Sequence, residues 1–315
     1  MTSGALILWV ALATVALSAA AGNALVLLAG SLARGRAWTA FGARTAASLL
    51  VQARLAPLTL TLVCVPLVTL AFWRYEPAQT MEATGVALPL LAAGGVWVLV
   101  VMARRGWQSV RATGRVVRAW RQAGVPADVP GWQGRAWVVD TRVPVVAVVG
   151  VGRGELYVSA DVLRACTTAE IAAIAAHERA HVTGRDNLTR VLFALAPAVR
   201  RAAARLERTW AATAEEIADL HARAGGDGVT LAQALTKVAR LAPGATAAPP
   251  IAISAFIGGD DLEGRVRRLL EPARHPGHSL RGMPFAAVVP IAIAAAIWGL
   301  PEIYEAAEFV VKLGR

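Results

Sequence analysis

This chain is organised around one stretch, Ala176-His177-Glu178-Arg179-Ala180-His181. His177 and His181 are four residues apart, so on a helix they lie on one face, about one turn from each other. Two imidazoles at this spacing can bind one metal ion, and Glu178 can reach a water on that ion. The pattern His-Glu-x-x-His therefore predicts a zinc site in which His177 and His181 are ligands and Glu178 is the general base.

The residues around this stretch predict a helix with a defined start and end. Thr167 can cap the first turn, and Glu170, three residues later, completes a capping box. Gly184 is suited to end the helix. Between them, apolar residues form a stripe that can anchor the helix on a core: Ile171, Ile174 and Ala175. A stiff helix of this kind is what a metal site requires.

A catalytic zinc site needs a third protein ligand, with water in the fourth position. Asn187 stands where the longer pattern His-x-x-x-His-x-x-Gly-x-x-His would place a histidine, but an amide is a poor zinc ligand. The other candidate is Glu215, and Asp219 shares its helical face four residues later. Alone, this pair could be an exposed acidic face. With the upstream motif, we interpret Glu215 as the third ligand and Asp219 as a carboxylate that orients a histidine.

The composition predicts a membrane protein. Of the 315 residues, 56% are hydrophobic and only 17% are charged, whereas soluble domains carry about a quarter charged residues. The net charge of +11 comes mostly from arginines that flank apolar runs, as the positive-inside rule produces. We therefore expect no direct nucleic-acid binding. The two cysteines, Cys64 and Cys166, are too few for a disulfide framework or a cysteine-ligated zinc site.

Uncharged runs of membrane-spanning length indicate about four transmembrane helices. They are residues 4–32, Leu55–Trp73, Thr84–Ala103 and Met283–Pro301. No basic residue precedes the first run, which predicts a retained span rather than a cleaved signal peptide. Arginines without acidic residues fill the first loop, and six more follow the third run. This distribution predicts a multi-pass cell-membrane protein whose central region is cytoplasmic and whose two termini lie outside.

The region after the third span predicts a small sheet among helices. Short runs rich in β-branched residues indicate strands at Ala136–Asp140, Val145–Val149 and Glu155–Val158. The glycine-rich stretch 150–154 lacks the Lys-Ser/Thr of a phosphate loop, so it predicts a hairpin turn. We consider the run Glu155–Val158 a candidate for pairing with an extended substrate. The proline-containing stretch Ala242–Ala255 predicts a loop.

These features divide the chain into four parts: residues 1–103, a three-helix transmembrane region; 104–130, a basic juxtamembrane helix or linker; 131–281, a cytoplasmic zinc metallopeptidase domain; and 282–315, a last span with a short tail. The basic segment 104–122 could lie on anionic lipid or simply extend the third span. The predicted fold is mainly α. It combines transmembrane helices with an α+β domain that carries the His-Glu-x-x-His motif and is inserted before the last one; the resemblance of this motif to those of known zinc peptidases implies a zincin-like domain.

His-Glu-x-x-His followed some thirty residues later by Glu-x-x-Ala-Asp resembles the membrane-bound gluzincins. These include the M56 peptidases, the group of the β-lactam sensor BlaR, and the related M48 peptidases, the group of HtpX. Thr-Thr-Ala-Glu-Ile at 167–171 and Arg185-Asp186 resemble M56 best. The resemblance implies a Zn²⁺-dependent endopeptidase with His177, His181 and Glu215 as ligands and Glu178 as base.

Three functions follow as expectations. As in M56, the protein could cut a cytoplasmic protein in regulated signalling, for example a transcriptional repressor. As in HtpX, it could be a quality-control protease that acts on membrane proteins. A non-catalytic membrane scaffold or receptor is the alternative of another class. Direct β-lactam sensing is not expected, because the sequence contains no Ser-x-x-Lys nucleophile motif.

Overall fold

The structure is a computed structural model that describes most of the chain. The described residues are 3–33, 41–76, 84–141, 144–152, 154–226, 228–241, 253–255, 262–271 and 299–313. Within them the protein is mostly helical, with one small sheet.

The N-terminal part consists of three long helices, α1 Ser3–Leu32, α2 Ala43–Tyr75 and α3 Ala87–Ala123. All three are long and apolar enough to cross a membrane. They pack closely: a side chain at Gly95 of α3 would collide with the backbone of α1 at Leu12. The three predicted N-terminal spans are therefore supported by length and composition, and the structure shows them as longer helices than the uncharged runs alone.

The third helix continues without a break through the basic segment 104–122. At about 1.5 Å per residue, a 37-residue helix is about 55 Å long, which exceeds the thickness of a bilayer core. Of the two alternatives for this segment, the structure shows a continuous extension of the span. Near its end, Val117 and Trp120 pack on the sheet.

Among the described residues, five short strands form one mixed sheet: β1 Gly124–Pro126, β2 Ala136–Val139, β3 Val146–Val149, β4 Glu155–Ser159 and β5 Ile253–Ala255. Their order is β1-β2-β4-β3-β5. β3 and β4 are antiparallel neighbours, which confirms the predicted hairpin at 150–154. β2 and β4 run parallel.

Two expectations for the sheet were wrong. β4 lies between β2 and β3 and forms hydrogen bonds on both edges, so it cannot accept a substrate strand. The end of the predicted loop Ala242–Ala255 is also a strand, because Ile253–Ala255 pairs with Ala147–Val149. Residues 242–252 lie outside the described part of the chain.

The described residues contain seven further helices, and their bounds are α4 Ala160–Ala165, α5 Thr168–Thr183, α6 Asp186–Leu195, α7 Arg200–Ala224, α8 Gly228–Leu241, α9 Leu262–Leu270 and α10 Leu300–Lys312. The predicted fourth span, Met283–Pro301, falls almost entirely outside the described residues.

The main core lies between one face of the sheet and helices α5 and α8. Val148 and Leu156 from the sheet meet Ile174 and Leu235 from these helices. Successive side chains of a strand point to opposite faces of the sheet, so Tyr157 and Val149 instead pack against the end of α3. The sheet therefore lies between the α3 extension and the helix that carries the His-Glu-x-x-His motif.

Candidate metal centre

The motif helix α5 begins and ends as its sequence predicts. The Thr167 hydroxyl accepts a hydrogen bond from the Glu170 backbone, and the Glu170 carboxylate accepts one from the Thr167 backbone at 2.7 Å. Gly184 is the C-cap. The next residue, Arg185, adopts the left-handed backbone conformation, with a φ of 55°. It is the only non-glycine residue with positive φ among the described residues. This turn starts α6 directly after α5.

Three side chains from α5 and α7 converge in the interior: His177, His181 and Glu215. The two histidine Nε2 atoms are 3.2 Å apart. The Glu215 carboxylate lies 3.4 Å from Nε2 of His177 and 3.6 Å from Nε2 of His181. All of the ligand atoms lie within 4.8 Å of one another, so this cluster could hold a metal ion. Two imidazoles and a carboxylate are the donor set of a catalytic zinc site of the His₂Glu type.

Each histidine has its own carboxylate on the ring nitrogen that faces away from the cluster. Nδ1 of His177 lies 3.0 Å from Asp219 Oδ1, and Nδ1 of His181 lies 2.6 Å from Asp186 Oδ2. A carboxylate at this position fixes both the ring orientation and the tautomer that directs Nε2 to a metal. Asp219 is therefore placed where its predicted orienting role requires, whereas no role was predicted for Asp186.

Arg265, on α9, lies beside the cluster and contacts two carboxylates of α7. Its guanidinium donates to both oxygens of Asp219, at 2.9 and 2.7 Å, and lies 3.0 Å from Glu215 Oε2. The arginine is buried. A planar guanidinium that binds both oxygens of a carboxylate fixes its orientation as well as its charge. Arg265 thus orders the acidic face of α7 from a third helix.

The electrostatics of the cluster favour a positive charge between the three residues. Burial lowers the pKa of His177, but the carboxylates of Asp219 and Glu215 outweigh this effect and raise it to about 9. Burial raises the pKa of Asp219, yet His177 and Arg265 lower it to about 2. The pKa of Glu215 is likewise below its ordinary value despite burial, because both histidines and Arg265 stabilise the anion. Ionised carboxylates around two imidazoles suit a divalent cation.

Glu178 is completely buried next to His177. It lies close enough to Arg265 for the two charges to interact. A carboxylate beside the convergent imidazoles is in the region where a general base must act.

Asn187 lies outside the cluster, as expected of a poor zinc ligand, and so does His221. The amide of Asn187 donates to the carbonyls of Val148 and Gly150, so it ties the start of α6 to strand β3. His221 is exposed. His275 and His278 lie outside the described residues.

A cavity of about 490 Å³ lies beside the cluster, between α2 and the helices α5, α6 and α7. Ala47 and Val51 line it from α2, and Ala214 and Ala218 line it from α7. Asp186, which contacts His181, also lines this cavity, so one side of its carboxylate faces open space.

The comparison with protein families gives one match, at residues 111–247, to the model of peptidase family M48. This finding supports the M48 family. The matched stretch contains the sheet strands β1 to β4, the motif helix and Glu215. The resemblance to M56 is not confirmed. No curated protein and no solved structure shows a significant match to the chain.

The match supports a metallopeptidase, and the three apolar helices suggest that it is associated with a membrane. M48 members are metallopeptidases that usually use zinc. The assignment of His177, His181 and Glu215 as ligands and of Glu178 as base remains a prediction.

We expect Asp186→Asn to weaken zinc binding by about 10–100-fold, because loss of a carboxylate partner usually costs a metal site that much. The amide keeps the size of the side chain but removes the charge that supports His181. Zinc titration of the purified, metal-free protein measures the effect. The matched control is Asp161→Asn, since the Asp161 side chain is about half exposed and pairs only with Arg164 among its described contacts. Equal zinc affinity in both variants would contradict the role of Asp186.

Proposed function

We propose that this protein is a membrane-bound zinc endopeptidase that hydrolyses a peptide bond in a membrane-proximal part of another protein. The observation that carries the proposal is the buried cluster of His177, His181 and Glu215, with Glu178 next to it. The M48 match over the same residues supports it. Zn²⁺ would supply a Lewis acid that lowers the pKa of a water and polarises the scissile carbonyl.

In this proposal each side chain of the cluster has one task. Three groups would hold the metal: Nε2 of His177, Nε2 of His181 and the Glu215 carboxylate. Glu178 accepts a proton from the attacking water and donates it to the leaving amine. Asp219 and Asp186 keep the two imidazoles in the tautomer that leaves Nε2 available. Arg265 holds Asp219 and neutralises part of the acidic charge.

The position of the cluster supports a membrane-proximal substrate. Glu207 on α7 pairs with Arg54 at 2.6 Å, and Arg54 directly precedes the uncharged stretch of α2 that begins at Leu55. Glu215 is eight residues further along α7, which is about 12 Å. With α1 to α3 in a bilayer, the site would lie close to the membrane surface. The arginines of the first loop and of α3 favour the cytoplasmic side.

A role in quality control of membrane proteins, as for HtpX, fits the M48 match as well as the signalling role that resemblance to M56 implied. Neither the structure nor the family match supports a transcriptional repressor as the substrate. Both roles use the same chemistry and differ in the number of substrates. A non-catalytic scaffold would need neither the buried acid Glu178 nor an ordered metal cluster.

A proteomic comparison of wild-type cells with Glu178→Gln cells tests this proposal. We expect full-length membrane proteins to accumulate in the variant, and their cleavage products to disappear. Glu216→Gln is the matched control, because Glu216 lies beside Glu215 but outside the cluster. One stabilised soluble repressor would favour signalling. No difference between Glu178→Gln and wild type would contradict a proteolytic function.

A further inference from the structure

The corner between α6 and α7 lies in a socket formed by all three N-terminal helices. Asn23 of α1 accepts a hydrogen bond at 2.7 Å from the backbone N–H of Val199, the residue before α7. Gly106 of α3 lies against Leu195, so closely that a Cβ at this glycine would be 2.6 Å from a leucine methyl group. The third wall is α2, which contributes Arg54.

Arg54 is buried and holds the end of α6. Its guanidinium donates to the carbonyls of Phe193 and Ala196, at 2.6 and 3.4 Å, and to the Glu207 carboxylate at 2.6 Å. The last carbonyls of a helix lack partners within the helix and carry partial negative charge. A cation at this point therefore fixes the end of α6 to the membrane helix α2.

The opposite end of α6 carries the partner of a metal ligand. Asp186, its first residue, contacts Nδ1 of His181 at 2.6 Å. Asn187, the next residue, holds strand β3 through two carbonyls. A helix of ten residues is about 15 Å long and behaves as a stiff rod. The cavity beside Asp186 leaves room for this end to move when the other end is displaced.

We propose that Arg54 and Asn23 are positioning residues for the metal ligand His181, and that they act on it through α6. This inference rests on the proposed function, because it requires the cluster to bind a metal. It goes further in assigning the three N-terminal helices a part in setting the metal site. A change in their packing moves the α6–α7 corner, and α6 passes the displacement to Asp186 and so to His181.

The test uses the full-length protein with zinc and with cobalt, whose absorption bands report ligand geometry. We expect Arg54→Met to raise the zinc Kd by about threefold to tenfold, below the 10–100-fold usual for a direct partner of a ligand, and to shift the cobalt bands. Arg54→Lys, which keeps the charge, should recover part of both effects. Asn23→Ala is the milder variant in case Arg54→Met does not fold, and it should change both readouts in the same direction.

The matched control is Thr61→Val. Thr61 is buried in α2, seven residues beyond Arg54, and hydrogen-bonds Ser18 of α1 at 3.0 Å. This substitution loosens the contact between α1 and α2 at a point away from α6. We therefore expect a lower melting temperature with cobalt bands like those of wild type. Such a result in the Arg54 and Asn23 variants as well would overturn the inference. If wild-type protein bound no zinc, the proposed function would fail too, which is a separate and recognisable result.

Discussion

Glu178→Gln is expected to lower the rate of peptide hydrolysis by about 10²–10⁴-fold, the usual contribution of a general base. The amide has nearly the same shape as the carboxylate but cannot accept the proton of the attacking water. Glu178 is fully buried and is not one of the three convergent side chains that we propose as metal ligands, so zinc content should remain that of wild type. Purified protein, a fluorescent unfolded substrate such as labelled casein, and metal analysis provide the measurements.

This experiment separates an enzyme from a scaffold that keeps the motif for structural reasons. Glu216→Gln is the control for purification and charge, and it should keep full activity. A Glu178→Gln protein with zinc and with wild-type hydrolysis would disprove the mechanism. If the variant lost zinc together with activity, Glu178 would have to be assigned to metal binding instead.

Glu215→Ala should lower the affinity for zinc by more than about 100-fold, since loss of a direct ligand exceeds the 10–100-fold cost of losing a ligand's partner. Two imidazoles without a third protein ligand do not form a stable catalytic zinc site. Metal analysis after dialysis, followed by zinc titration, measures this. Near-stoichiometric zinc in the variant would show that the third ligand is another residue.

Two further variants make this result specific. Glu215→Gln preserves the volume and one carbonyl oxygen, so it controls for the cavity that alanine leaves beside Arg265. It should also lose zinc, because the carboxylate charge is absent. Glu216→Ala removes the adjacent acid, which lies outside the cluster, and it should bind zinc like wild type.

The local features of the motif helix followed from the sequence. A capping box depends on residues three apart, and a pair of ligands on residues four apart, so both are set by helix geometry alone. The same argument placed Glu215 and Asp219 on one face of α7. It could not say which histidine Asp219 would meet, because that depends on how α7 packs on α5.

Arg265 carries two sequence signals. It belongs to the arginines that precede the last predicted span, which is the distribution typical of a cytoplasmic region. Its helix, α9, carries an apolar stripe of Leu262, Val266 and Leu269, and Arg265 falls within that stripe. An arginine on the apolar side of a short helix must be paired when it is buried. The pattern therefore indicated burial but gave no partner.

Asp186 and the strand order could not be found in this way. Asp186 reaches His181 because Arg185 adopts a left-handed conformation and reverses the chain between two helices. No periodic pattern extends across such a turn. Likewise, the composition of Glu155–Val158 predicts a strand but not its neighbours, and the tertiary structure places it in the interior of the sheet rather than at an edge.

By itself, the sequence determined a His-Glu-x-x-His helix with caps, an acidic pair on a later helix, and four uncharged stretches long enough for a bilayer, of which the described residues support three. These depend on composition and on spacings within one helix. The tertiary structure alone decided that α5, α7 and α9 meet at one buried cluster, and that α6 connects this cluster to the membrane helices. Such contacts join residues far apart in the chain, and they are selected by packing rather than by local spacing.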